Sequence, residues 1–218
     1  MVFLARTWQR HDWQGTAGDF HSLDPVAERG LWWCTVESPA LIVGSSQTVD
    51  VIDTDRAVQR NIDVVRRRSG GGVVFVHPTD SVWMDITISR EDPVWTDDVT
   101  TSMLWLGDVF VQALSPWINT STRRDAFNSG EFGRDICFVS QSPGEVFASE
   151  AKIVGISQRR TREGARFQCV LYRRWNPAEW IDCLASVDVE RASQALAVAT
   201  VNARALDIVD AVHAALPQ

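Results

Sequence analysis

The chain has 218 residues, a formal charge of −7 and 45% hydrophobic residues, which suits a single soluble globular domain with a real core. It contains no run of about 18 consecutive apolar residues, and residues 1–10 lack a charged, then apolar, then small-residue pattern. No membrane span or secretory leader is therefore expected, and the cytoplasm is the expected compartment. The acidic balance speaks against nucleic acid and anionic membranes as partners. Four cysteines without C-x-x-C pairing speak against a zinc ribbon or disulfide framework, so reduced thiols are expected.

Residues 1–30 show no clean period and are expected to be mostly irregular. Residues 31–43 are apolar and β-branched around Ser38-Pro39, which predicts two short strands about a turn. Asp53 and Thr54 are placed to cap a helix over 55–61, and a strand at 62–65 then runs into three arginines and three glycines. Val82, Met84, Ile86 and Ile88 alternate with Trp83, Asp85 and Thr87, a strand with one core face and one polar face. After a loop at 91–98, Met103, Leu106, Phe110 and Leu114 fall at helical spacing, with a cap from residues 100–102 and a stop at Pro116. A loop is expected over 119–132, strands over 136–140, 145–148, 152–158 and 167–172, and helices near 177–184 and 206–216. The mixture predicts an α+β fold with a mixed or antiparallel central sheet flanked by helices. One domain over 1–218 is expected, with 188–218 a C-terminal helical extension packed on it, too short for a full accessory domain.

One count stands out. Of 21 basic residues, only Lys152 is lysine. Exposed cations are worth little and interchange readily, so a retained lysine suggests a task that the planar fork of arginine cannot do. It sits in Ala151-Lys152-Ile153-Val154-Gly155-Ile156-Ser157-Gln158, an apolar run that would place the ammonium in a partly closed site, where it pulls strongly on a carbonyl or phosphoryl oxygen. An edge-strand lysine that discourages aggregation fits the same run. The second constellation is Arg66-Arg67-Arg68-Ser69-Gly70-Gly71-Gly72, followed by His77. Glycines bring backbone N–H groups close to a ligand and the arginines suit an anion, although a glycine-rich turn beside solvated arginines has the same composition. Neither a P-loop nor a dinucleotide fingerprint is present.

Together these two segments, about eighty residues apart, resemble the lipoate-protein ligase family, within the wider class of biotin and lipoyl protein ligases. The pattern is R-R-x-S/T-G-G-G-x-V-x-H followed by K-hydrophobic-x-G-x-A/S-Q, and Val43-Gly44-Ser45-Ser46-Gln47 is similar to the family's G-x-x-Q strand end. The resemblance covers about residues 39–184 and implies the biotin/lipoyl protein ligase-like catalytic fold. It implies an enzyme that joins lipoate or octanoate, through an acyl-adenylate made with ATP and Mg2+, to a lysine of a lipoyl carrier domain. That carrier would be a 2-oxoacid dehydrogenase E2 or a glycine-cleavage H-type protein, with room for a separate accessory subunit. Lys152 would be catalytic, at the acyl carbonyl and the adenylate phosphate. Arg68, Ser69, Gly70, Gly71, Gly72, Gln47, Gly155, Ser157 and Gln158 would bind ligand, and the protein would supply no metal site of its own. The basic GRGRRG-type loop of biotin ligases is missing, which places biotin below lipoate.

The chain also departs from the pattern. His77 stands five residues after Gly72 where the family has four, a shift that turns a strand side chain to the other face unless a bulge absorbs it; it is a weaker ligand-binding candidate. Cys137-Phe138 opens a segment that resembles the cysteine-dependent octanoyltransferases, in which Cys137 would carry the acyl group as a thioester beside Lys152, with no cofactor. A buried inert cysteine and a non-catalytic ligand-binding adaptor of the same fold are the remaining alternatives. Cys169 reads as core. Arg159, Arg160 and Arg162 either meet an acidic carrier or form a solvated basic strand end.

Overall fold

The computed structural model describes residues 7–25 and 27–218; the expectations made for residues 1–6 and 26 lie outside the described residues. Its strands are β1 (Gln9–Gly15), β2 (Gly30–Val36), β3 (Ala40–Val43), β4 (Asp63–Arg66), β5 (Val74–Val76), β6 (Ser81–Ser89), β7 (Ser121–Thr122), β8 (Val146–Ala148), β9 (Ala151–Arg160) and β10 (Gly164–Tyr172). The helices are α1 (Ala17–Ser22), α2 (Thr54–Gln59), α3 (Leu104–Leu114), α4 (Val189–Ala195) and α5 (Ala205–Ala215). A seven-stranded sheet runs β1-β2-β6-β10-β9-β8-β7, and a three-stranded sheet runs β4-β3-β5. Among the named strands, parallel pairing joins β1 with β2 and β3 with β4, so the fold is the expected α+β class with a mixed sheet.

Strand alternation assigns the layers. On one face of the large sheet, Leu31, Met84, Ile86, Phe167 and Leu171 pack with Leu106 and Phe110 of α3 and Ile208 and Val212 of α5. On the other face, Cys34, Trp83, Val170 and Tyr172 meet Ile42, Val74 and Val76 of the small sheet, with Phe20 of α1 and with Phe138. The small sheet's outer side is closed by Ala57 of α2, Trp180, Ile181 and Ala192 of α4. A space between the two sheets is thus walled by side chains of both.

Several local expectations change. Residues 9–22 are ordered, because β1 gains its backbone partners from β2 and Thr16 Oγ1 accepts from Asp19 N at 3.1 Å to start α1; neither cause leaves an apolar period. The Ser38-Pro39 turn passes the chain from one sheet to the other instead of closing a hairpin. Both faces of β6 are buried: Asp85 is 0% exposed and is held by Trp83 Nε1, Arg166 and Gln168, so its polar face looks into the protein. Residues 136–140 form turns, since Ile136 N bonds Phe132 O and Val139 N bonds Ile136 O, leaving only a bridge from Ile136 to Val73. The helix expected near 177–184 is two short 3-10 segments, Pro177–Glu179 and Ile181–Cys183. Ser102 does not cap α3, because its Oγ lies 2.9 Å from both Val99 O and Gln158 Oε1 and its single O–H is turned to them. The segment after 188 forms α4 and α5, and α5 lies along α3. No helix among the described residues is long and apolar enough to cross a membrane.

Phe110 is fully buried between α3 and the large sheet. Phe110→Ala should lower stability by about 3–5 kcal/mol, read as a lower urea midpoint with an unchanged slope.

Candidate active site

The glycine loop between β4 and β5 is shaped by a buried arginine. Arg67 is 3% exposed and donates to Gly70 O at 2.8 Å, Gly72 O at 2.8 Å and Ile42 O at 3.2 Å. The guanidinium and the Cys137 thiol both lie against Gly71, where a Cβ would be 2.8 Å from Arg67 Nη2 and 3.5 Å from Cys137 Sγ; burial lowers the guanidinium from its ordinary value, with Cys137 acting in the opposite direction. The loop is crowded. A side chain at Gly44 would strike Gly71 O at 1.8 Å, and Gly71 itself has φ +102°, a backbone that favours glycine. Gln47 locks this turn to the next segment, accepting from Gly44 N at 2.9 Å and donating to Arg134 O at 2.9 Å. Ser69 reaches across to the large sheet, donating to Gln168 Oε1 at 2.5 Å and lying 3.0 Å from Ser157 Oγ.

Between the sheets lies an inner cavity of about 30 Å3, lined among others by His21, Trp83, Cys137, Phe138, Gly155 and Val170. It is continuous in its lining with an outer recess of about 270 Å3 that shares Cys137, Ile156 and Ser157 and adds Gly70, Gly71, Phe127, Glu145 and Gln158. Cys137 therefore stands at the junction of the inner cavity and the outer recess. Gly155 is needed here because a Cβ would lie 3.0 Å from the Phe138 ring.

Lys152 is 1% exposed. Its Nζ lies 2.8 and 2.9 Å from the two carboxylate oxygens of Glu145, donates to Cys137 O at 2.8 Å, and sits 5.4 Å from the centre of the Phe138 ring. Burial pushes the Glu145 carboxyl up from its ordinary value, while Lys152 and the Ser142 N–H pull it down. The expected pairing of Lys152 with the Cys137 thiol is corrected: the ammonium holds that residue's carbonyl, and the cation beside the sulfur is Arg67.

The predicted site residues divide. Cys137, Gly70, Gly71, Gly155, Ser157 and Gln158 line the two spaces, and Ser69 borders them through its hydrogen bonds. Gln47 and Gly72 shape the loop; a Cβ on Gly72 would lie 2.8 Å from the Asp135 and Ile136 backbone. Arg68, by contrast, is exposed and lies 3.7 Å from Asp24, so the buried cation is its neighbour Arg67. His77 lies at the far end of β5, 3.5 Å from Asp80. His77, Asp80 and Glu179 bring possible ligand atoms within 4.8 Å of one another, but Arg174 already pairs with both carboxylates. Cys169 is core. Arg159 pairs with Asp24, and Arg160 stacks 3.8 Å over Trp95. The reading of single residues missed Arg67, Glu145, Gln168 and His21. Only Arg67 carried a signal, as one of three adjacent arginines.

A family model described as the lipoyl protein ligase A/B catalytic domain matches residues 21–216. The chain belongs to this family. No curated protein sequence matches it. Among solved structures it is similar to a putative lipoate protein ligase from T. acidophilum with bound lipoic acid, at 16% identity and TM-score 0.70, over 94% of this chain and 82% of that one. A bi-partite lipoate protein ligase described with its E2 lipoyl domain, from Thermoplasma acidophilum, aligns at 15% identity and TM-score 0.71, over 96% and 82%. A lipoate-protein ligase A bound with ATP aligns at 13% and 0.70, over 94% and 82%. These likenesses place the fold among lipoyl ligase catalytic domains.

Removing one partner of a buried ion pair leaves a charge uncompensated, at a cost of about 3–5 kcal/mol. Lys152→Met should therefore destabilise the fold near neutral pH. The Glu145 carboxyl, already raised by burial, rises further without its cation. A group whose folded value is raised binds its proton more tightly folded than unfolded, so the variant's deficit should shrink as pH falls to the ordinary carboxylate range and grow as pH rises through the folded value. Urea midpoints of both proteins across pH 4–8 check the sign.

Proposed function

We propose that this chain transfers a medium-length acyl group, lipoyl or octanoyl, to a lysine of a lipoyl carrier domain, by way of a thioester on Cys137. The observation that carries the route is the position of Cys137 at the junction of the inner cavity and the outer recess, its thiol and the Arg67 guanidinium both against Gly71. A fixed cation beside a thiol is the arrangement that activates sulfur as a nucleophile. The thiolate attacks the carbonyl of an acyl-thioester donor, the Cys137 C–S bond forms, and the donor thiolate leaves and takes a proton. The acceptor lysine amine then attacks the new thioester, its C–N bond forms, and Cys137 is released as the thiolate while the amine gives up its proton. Lys152 holds the Cys137 carbonyl and so fixes the backbone that bears the sulfur. The inner cavity has room for about two water-sized groups, so the chain enters by spreading Trp83, Phe138 and Val170.

A second reading, activation of a free acid by adenylation, is favoured by the ATP-bound relative. In this structure Glu145 lines the outer recess and holds the Lys152 ammonium, an arrangement that does not fit a polyphosphate. The acceptor reading is supported by the relative described with an E2 lipoyl domain, and its description as bi-partite is consistent with a separate accessory subunit.

Incubation with an octanoyl-thioester donor should give a hydroxylamine-labile adduct on the wild-type chain and none on Cys137→Ser. Lipoate-dependent exchange of pyrophosphate into ATP, with no such adduct, would overturn the thioester route in favour of adenylation. Because Lys152 is the single lysine, any hydroxylamine-stable self-label should map to Lys152 or the N-terminus.

A further inference from the structure

The inner cavity contains a polar group that the thiol chemistry does not use. His21, on α1, is 7% exposed, lines the cavity, and lies with its ring centre 4.9 Å from that of Trp83. Its tautomer follows from its neighbours. Asp85 Oδ2 lies 3.4 Å from Gln168 Nε2, and Ser69 Oγ donates to Gln168 Oε1, so the amide nitrogen is the end that turns toward Asp85 and toward His21 Nδ1, 3.3 Å away. Nδ1 therefore accepts, and in a neutral imidazole the proton then sits on Nε2. The ring is neutral: burial, with Arg166, Arg67 and Arg68 nearby, pushes its pKa down to about 3. That Nε2 is buried and has no hydrogen-bond partner among the described residues. An unmade buried donor is costly, and a ligand atom that accepts from it removes the cost.

We propose that His21 Nε2 reads the far end of the acyl chain, donating a hydrogen bond to an acceptor atom there, so that the site selects chains tipped with sulfur or oxygen over chains tipped with a methyl group. This rests on the acyl-transfer reading, which fixes the direction. With the carbonyl at Cys137, the rest of the acyl chain lies in the cavity that Phe138, Val170, Trp83 and His21 also line. Sulfur is the weaker acceptor and oxygen the stronger, and both meet the same N–H.

The test is calorimetric binding of three free acids, octanoate, lipoate and 8-hydroxyoctanoate, to the full chain and to His21→Leu and His21→Asn. The affinity ratio of the acceptor-tipped acid to octanoate should fall about tenfold in His21→Leu and recover in part in His21→Asn, whose amide restores a donor. A fall for lipoate alone assigns sulfur, and a fall for 8-hydroxyoctanoate alone assigns oxygen. Ratios unchanged by His21→Leu, or equal affinity of the wild type for all three acids, overturn the role of His21 and leave acyl transfer standing. Binding of none of the three, with no Cys137 adduct from the thioester donor, overturns both. Should His21→Leu fail to fold, His21→Asn and the wild-type ratios decide alone.

Discussion

The architecture of the site depends on one buried cation, Arg67, that has no carboxylate partner among the described residues. Taking a charge out of water is expensive unless its hydrogen bonds are replaced, and Arg67 replaces them with the carbonyls of Ile42, Gly70 and Gly72. The guanidinium fork can satisfy several carbonyls at once in one plane, and the loop must wrap closely enough to present them. The glycines are a consequence: the chain at Gly44 and Gly71 passes so near itself that a single Cβ has no room. At Gly71 and Gly72 the glycine run is a closely packed turn built around a charge, with the Cys137 sulfur beside it.

Two charged pairs complete the enclosure. Asp85 and Arg166 pair on the large sheet, and Glu145 and Lys152 pair at the mouth. Both are pairs of opposite sign, so the net field in the interlayer space comes from Arg67 and from oriented backbone groups. Such an interior suits a neutral, largely apolar chain with a reacting carbonyl at one end, and it keeps water from the apolar wall formed by Trp83, Phe138 and Val170.

How much of this was legible in the sequence depends on whether the cause was local. β6, β9, β10, α3 and α5 announce themselves through period, because their apolar stripes face one large core, and α2 through its Asp53 cap. Lys152 and the glycine run are legible because their residue types are rare or restricted in this chain. The partner of Lys152 was hidden: Glu145 reaches it through two turns and a strand end, and acidic residues are common. The choice among Arg66, Arg67 and Arg68 depends on strand parity at the end of β4, where one residue of slip reverses inside and outside. His21 falls in a six-residue helix whose order comes from β2 and Thr16, so no window around it carries a signal.

The strand that bears Lys152 is closed on one side by the C-terminal region: Lys152 N donates to Ala197 O, and Ala199 N donates to Lys152 O. Val201 N likewise bonds Tyr172 O on β10. A chain still emerging from the ribosome exposes the glycine loop, the thiol and the lysine before it has made the segment that pairs with the lysine's own backbone. Synthesis order thus places completion of this site after residue 199, and a polypeptide that stops short of that segment but retains every motif residue lacks one flank of that strand.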